Sequence, residues 1–400
     1  QTHLTAMDLI IILGILLALL FNFANGLNDA ANSIATIIAT KALTPLQAVL
    51  LAGVFNLLGP LIFTTAIAAT IGRGIVDPIF LTPPLILMAM VGAVLWVLAT
   101  SYLGIPVSSS HALIGGLLGA GIAAAGIGAV FWPSLALLKQ VIVYGFAGAI
   151  PGAIITGVFA LWKGDFKPWN LLLGGLIGMT IAIPLAIATG FLKINGILAV
   201  VLFIVISPML GLISAFALGI IVARIFRNYP PRRLTSHFRN LQIFSGSLQA
   251  AGHGGNDAQN AMGIITAMLL AGGLISEFVV PLWVILASSL AISVGTLLGG
   301  WRVVDKMANR ITKIRPYQGF CASTAAGSVL SLMNVFGVPV STTHAITGAI
   351  MGVGATRGYS AVKWGVVREI LIAWLLTIPA AAVVAGICFF AARTLTGGII

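Results

Sequence analysis

The chain has 400 residues, of which 60% are apolar and 7% charged, where a soluble globular protein carries roughly 25% charged residues. With a mean hydropathy of +1.13, so few charges cannot cover a water-soluble surface. This excludes soluble enzymes, disordered chains, nucleic-acid-binding modules and secreted disulfide scaffolds. The net charge of +12 is no nucleic-acid signal, because ten of the twenty Lys and Arg sit in two short stretches. Arg224, Arg227, Arg232, Arg233 and Arg239 surround Tyr229-Pro230-Pro231, and Arg302, Lys306, Arg310, Lys313 and Arg315 follow Gly300. Basic residues clustered in short loops mark the cytoplasmic side of a polytopic membrane protein.

Taken in chain order, apolar runs punctuated by charges predict spans near 8–40, 45–71, 79–102, 111–128, 131–162, 170–190, 195–224, 243–271, 278–300, 318–335, 345–357 and 362–392. The opening Gln1-Thr2-His3 and the long run after Asp8 do not resemble a cleavable signal peptide. If all twelve segments cross, both basic loops lie on one side and both termini on the other, although re-entrant pairs would imitate that count. Cys321 and Cys388 form no metal or redox spacing. Trp132, Trp162, Trp169 and Trp301, near span ends, read as interfacial anchors.

An internal repeat organises the chain. Gly26-Leu27-Asn28-Asp29-Ala30-Ala31-Asn32 returns 228 positions later as Gly254-Gly255-Asn256-Asp257-Ala258-Gln259-Asn260. Gly104-Ile105-Pro106-Val107-Ser108-Ser109-Ser110-His111-Ala112 returns 233 positions later as Gly337-Val338-Pro339-Val340-Ser341-Thr342-Thr343-His344-Ala345. The expected division is a first repeat over 1–165, an inserted helix pair and basic cytoplasmic linker over 166–243, and a second repeat over 244–400. By the crossing parity the first motif is entered from outside and its copy from inside, so the repeats are inverted. The expected fold is therefore an all-α polytopic membrane protein of about twelve transmembrane helices in two inverted repeats with interrupted helices or hairpins. This arrangement belongs to secondary transporters, whose sites lie at the repeat interface near the midplane.

Of only eight acids, Asp29 and Asp257 lie deep in apolar segments at equivalent positions. A carboxylate at the bilayer centre costs about 2.5–3.5 kcal/mol on insertion scales, so bearing that cost twice points to function. Capping of a following half-helix is the structural alternative, and is compatible with cation binding. Amides surround both acids: Asn25, Asn28 and Asn32 in one copy, Asn256 and Asn260 in the other. Carboxylate, amide and main-chain oxygens make a hard shell that suits sodium, with Asn25, Asp29, Asn32, Asp257 and Asn260 as candidate ligands. The same amides could serve as interhelical hydrogen bonds. Gly26, Gly254 and Gly255 are expected to let the backbone unwind and expose carbonyls.

Pro106 and Pro339 end any preceding helix. The triplets Ser108-Ser109-Ser110 and Ser341-Thr342-Thr343 then stand at helix starts, where free N–H groups, hydroxyls and the positive dipole end suit an anion. Two such starts could grip a tetrahedral oxyanion from both sides; ordinary N-capping is the plainer reading. His111 and His344 would orient these loops from behind. No Lys or Arg falls within the four motifs, so an anion would need co-bound cations as its positive charge. An anion channel is disfavoured by the paired intramembrane acids, and no nucleophile–base constellation points to an enzyme.

These residues resemble the inorganic phosphate transporter family, which includes sodium–phosphate symporters and bacterial phosphate permeases. Its duplicated Gly-x-Asn-Asp-x-x-Asn signature is similar to Gly26–Asn32, and its second copy to His253–Asn260; the Pro-Val-Ser-Ser/Thr-Ser/Thr-His segments and Gly299-Gly300-Trp301-Arg302-Val303 match further. The resemblance implies sodium-coupled symport of inorganic phosphate by alternating access across a prokaryotic plasma membrane. It also implies no enzymatic activity, no cofactor beyond the coupling Na⁺, a homodimer in the lipid bilayer and no nucleic-acid partner. Asn28, Ser108, Ser109, Ser110, Asn256, Ser341, Thr342 and Thr343 would bind phosphate. Animal members carry a glutamate in the helix after each signature, where this chain has Asn56 and, in the second copy, the surroundings of Ile292 and Ser293. The alternatives are a proton-coupled phosphate or metal-phosphate carrier and a sulfate carrier of the same architecture.

Overall fold

Helix starts in this chain are written in hydroxyls and prolines. Thr5, Thr44, Thr82, Ser108, Ser134 and Ser341 each accept a hydrogen bond from a first-turn N–H, and prolines open several helices besides. The structure is a computed structural model that describes residues 5–194 and 196–397. The outermost residues of the expected stretches 1–165 and 244–400, with the opening Gln1–His3, lie outside the described residues.

Among the described residues there are fourteen α-helices and no sheet. The first half holds α1 (Ala6–Thr40), α2 (Pro45–Ile62), α3 (Ala66–Arg73), α4 (Pro83–Leu103), α5 (Ser109–Ala125) and α6 (Leu135–Trp162). Then come α7 (Pro168–Ala188) and α8 (Gly196–Ile225). The second half holds α9 (Pro231–Ala271), α10 (Leu282–Leu298), α11 (Trp301–Asp305), α12 (Pro316–Val335), α13 (Thr342–Ala355) and α14 (Trp364–Leu395). All twelve expected segments are helical, with 45–71 divided between α2 and α3. Seven of these helices are long and apolar enough to cross a membrane, and α10 with its continuation to Arg310, bent by 65°, makes eight. The others differ for physical reasons. At 17 and 14 residues, α5 and α13 are about 25 Å and 21 Å long, short of a hydrocarbon core of roughly 30 Å. The long α9 and α12 are richer in polar side chains.

The interruptions fall at the hydroxyl motifs, as expected, and not at the acid motifs. Gly104 (φ 68°) and Gly337 (φ 66°) take the left-handed conformation that stops α4 and α12, and the chain turns back into α5 and α13. Two helical hairpins result. In contrast, α1 runs unbroken through Gly26, and α9 through Gly254 and Gly255, so the expected unwinding there is corrected. Gly26 and Gly254 admit a neighbouring backbone instead, and Gly255 the side chains of Phe63 and Asn334. A Cβ on Gly26 would stand 2.1 Å from the Ile292 carbonyl oxygen of α10, and one on Gly295 of α10 would stand 2.0 Å from that of Phe23. The pair α9/α2 repeats this, with Gly254 at 2.3 Å from the Asn56 carbonyl oxygen and Gly59 at 2.2 Å from that of Ala251. Small residues let two helices touch backbone to backbone where oil on all sides gives no hydrophobic drive to pack.

The two halves thus interlock. The helix pairs in contact include α1/α10, α2/α9, α5/α14 and α13/α8, while α6 lies on α7. Trp132, Trp162, Trp169 and Trp301 are exposed at helix ends, where anchors belong.

Gly26→Ala should force α1 from α10 and destabilise the fold by about 1–3 kcal/mol or more, the usual range for overpacking. Thermal unfolding in detergent reads this, with Gly128→Ala as the neutral control because no atom lies within 4 Å of its Cβ position. Equal melting of both variants would remove the interlock.

Candidate functional site

The unbroken α1 and α9 carry their acid motifs past one another deep inside the protein. Asn22 of α1 donates to the carbonyl oxygens of Ala258 (3.2 Å) and Ser288 (3.2 Å), and Asn25 donates to Asp257 Oδ2 at 3.3 Å. Both acids are buried. Each is held by the amide before it: Asn28 donates to Asp29 Oδ1 at 2.8 Å and Asn256 to Asp257 Oδ1 at 3.0 Å. Each of these amides also donates to its own copy's hairpin tip, Asn28 to the Val107 carbonyl (3.3 Å) and Asn256 to that of Val340 (2.6 Å).

The hydroxyls complete the cluster, both within each repeat and across the repeats. Thr343 donates to Asp29 Oδ1 at 3.3 Å, Thr342 to Asp257 Oδ2 at 3.2 Å, and Ser109 to Asp29 Oδ2 at 3.5 Å. Asn32 donates to Thr342 (3.1 Å) and Thr343 (3.0 Å), and Asn260 to Ser110 (2.9 Å). Ser108 and Ser341 act as N-caps, accepting from the backbone N–H of His111 (3.4 Å) and His344 (3.2 Å). All thirteen of the acids, amides and hydroxyls expected at the site are therefore drawn into one region at the two hairpin tips, with two of the hydroxyls also capping helices.

The imidazoles sit behind the tips. His111 and His344 meet edge to face at 4.9 Å between centroids, and His344 stacks on Trp374 at 3.6 Å. Trp374 in turn donates to the Pro106 carbonyl at 3.2 Å, so the second copy's histidine backs the first copy's loop through an indole.

The electrostatic balance is one-sided. Among the described residues no Lys or Arg pairs with either carboxylate, and Lys139 and Arg368 are exposed. Four buried amide oxygens, Oδ1 of Asn25, Asn32, Asn256 and Asn260, have no hydrogen-bond partner. Buried acceptors left so cost roughly 1–3 kcal/mol each, and a bound cation would satisfy them. Carboxylate and amide oxygens are the donor set a hard monovalent cation prefers.

The sequence places His253 in the second signature but gives it no role at the site. Its Nε2 lies 3.3 Å from Asp257 Oδ2, and its Nδ1 is 3.0 Å from Asn56 Oδ1. Asn56 donates onward to Thr296 at 2.8 Å. Ligand atoms of Asp29, His253 and Asp257 fall within 4.8 Å of one another. The signal was available, since a spacing of four residues puts His253 and Asp257 on one helix face.

A multi-pass helical membrane protein with its polar residues gathered at a buried centre is the class this architecture defines. The profile of the phosphate transporter family matches residues 25–170 and 139–385, and the chain belongs to that family. It is 43% identical over 379 residues to a Rhizobium meliloti protein described as "Probable low-affinity inorganic phosphate transporter", covering 94% of this chain and 95% of that one. A Bacillus subtilis protein with the same description is 36% identical over 390 residues, covering 96% and 98%. A solved structure described as "The sodium-dependent phosphate transporter" superposes with a TM-score of 0.68 at 26% identity, over 97% of this chain and 100% of that one.

The geometry separates capping hydroxyls from those turned to the acids. Ser108→Ala and Ser341→Ala should cost about 1 kcal/mol of stability each and preserve phosphate uptake. Ser109→Ala and Thr343→Val should cut uptake sharply. Uptake lost equally in all four would contradict the distinction.

Proposed function

We propose that this transporter couples phosphate uptake to sodium and works by alternating access, with the two repeats inverted in a plasma membrane. One observation carries the reading: both acids, the amides and both hydroxyl tips converge on one buried cluster that holds unpartnered amide oxygens and, among the described residues, no lysine or arginine. Such a cluster cannot hold an oxyanion by itself, because its fixed charge is negative. Cations bound by Asp29, Asp257, Asn25, Asn32 and Asn260 would supply the positive charge. Phosphate would then lie against Ser109, Ser110, Thr342 and Thr343, with Asn28 and Asn256 nearby and Ser108 and Ser341 shaping the tips. Two sodium ions balance a divalent phosphate, and a third would add roughly 2.3 kcal/mol of driving force per 100 mV. The solved relative's description as sodium-dependent supports the choice of ion.

The hairpins supply the moving parts. Tips closing on the ions and phosphate from opposite sides, one opening at a time, is how inverted repeats alternate. Twelve crossings, counting each hairpin arm and broken helix, and a homodimeric assembly complete the proposal. Proton coupling is the second reading, and one contact favours it: His253 against Asp257, a proton-accepting group beside the proposed cation ligand.

Phosphate uptake into proteoliposomes, with sodium and pH gradients imposed separately, discriminates the two. We expect uptake driven by sodium, and its sodium stimulation lost in Asp257→Asn. Uptake driven by the pH gradient alone would establish the second reading, and undiminished sodium dependence in the variant would remove Asp257 from the coupling.

A further inference from the structure

On either side of the central cluster, α1 and α9 are lined very differently. Towards the N-terminus of α1 and the C-terminus of α9, Ile11, Ala18, Phe21, Ile264 and Met268 merge into a continuous apolar core with α3, α4 and α5. Towards the opposite ends, Ile34 and Ile37 of α1 and Phe238 of α9 join a second apolar core, but beside it the same two helices bury polar stripes. Ser33, Thr36 and Thr40 of α1 and Gln242, Ser245 and Gln249 of α9 each follow the spacing i, i+3, i+7 of a single helix face. Thr36 shares a 2.7 Å hydrogen bond with Ser323 of α12, so three helices meet along this seam.

The seam begins at the cluster and ends at the basic loops. Gln249 donates its amide to the main-chain oxygen of Asn32, a proposed cation ligand. At the far end Thr40 precedes Lys41, and Gln242 stands three residues after Arg239. The positive-inside rule makes that end cytoplasmic. From Asn32 to Thr40 is about 12 Å along the helix.

The side chains on this route are poorly satisfied. Gln242 is wholly buried with neither its amide nitrogen nor its amide oxygen partnered, and Ser33 Oγ and Gln249 Oε1 are also unpartnered. Gln242 is clasped at the meeting point of the helices: a Cβ on Gly319 of α12 would stand 2.3 Å from Gln242 Oε1 and 2.7 Å from Thr40 Cγ2. A fold that needed only packing here would do better with leucine, because buried amides without partners are costly. Groups that are dry in one conformation and wet in another explain the cost.

We infer that the α1/α9/α12 seam is the inward half of the substrate pathway, an exit for a hydrated phosphate and its cations, and that Gln242 is its closing plug. The inference rests on the transport reading above. Opening the seam lets water and the departing oxyanion satisfy the stripes of hydroxyls and amides, while the apolar core keeps the outer side sealed. Gln242 acts by position and does not touch bound phosphate, some four helical turns from Asn256.

Two measurements test this on the full chain in inverted vesicles, with Cys321 and Cys388 replaced by alanine. A membrane-impermeant maleimide applied from the cytoplasmic face should label Ser245→Cys, faster during phosphate exchange, and should leave Ala18→Cys untouched. Labelling is read as a mass shift, independently of transport. A parent that exchanges phosphate while Ser245→Cys stays inert from the inside overturns the pathway alone. Labelling of Ser245→Cys, with a parent that moves no phosphate under any gradient, overturns the transport reading and keeps the water-accessible seam. Gln242→Leu should melt no lower than the parent, and should lose most of its exchange rate with the half-saturating phosphate concentration unchanged. An unaltered rate in that stable variant would reduce Gln242 to a packing residue and overturn its role as plug.

Discussion

Two carboxylates buried in a membrane protein without a lysine or arginine beside them set the terms for the rest of this structure. Their burial is costly, and the fold meets the cost with amide and hydroxyl donors and, at Asp257, an imidazole. Asn28, Asn256 and Asn25 turn their amide nitrogens to the acids, and Ser109, Thr342 and Thr343 turn their hydroxyls. Amide groups have two ends, so holding the acids with nitrogen leaves oxygen over. The unpartnered oxygens of Asn25 and Asn256 are a direct result, and they strengthen the case for a cation at the same place. An arginine would have satisfied the acids directly and left no need for a cation there.

The two copies are not equivalent in use. Asn25 and His253 occupy matching positions, yet both contact Asp257 Oδ2. Asp257 therefore gathers two side chains that Asp29 lacks, and through His253 it is tied to Asn56 and Thr296. Pseudo-symmetry builds the cluster; the departures from it distinguish one carboxylate from the other.

Much of this was legible in the sequence because membrane insertion makes polarity conspicuous. The helical segments follow from apolar runs, the hairpin tips from proline and hydroxyl triplets, and the gathering of the motifs from their duplication. What was not legible depends on partners distant in the chain. Gly26 suits unwinding and close packing equally, and only the Ile292 carbonyl opposite it decides between them. Likewise, nothing near Asn32 or Asn260 announces that each reaches the other copy's hydroxyls. Nor does either triplet show which of its hydroxyls also caps the helix, as Ser108 and Ser341 do by accepting from the backbone N–H three residues on. The lengths of α5 and α13 were not legible either, since the apolar runs at 111–128 and 345–357 do not show that the helices stop at 17 and 14 residues.

The glycine contacts join helices born at opposite ends of synthesis, α1 with α10 and α2 with α9. A nascent chain that has delivered only its first half to the bilayer holds Asn25 and Asn32 without Asp257, Thr342 and Thr343, the partners they reach in the finished fold. Those helices have to wait, exposed to lipid or sheltered by an insertion chaperone, until residues beyond 280 emerge from the ribosome. Biogenesis of this protein is thus constrained to finish late and all at once, and truncation after the first repeat leaves a fragment with no native resting state.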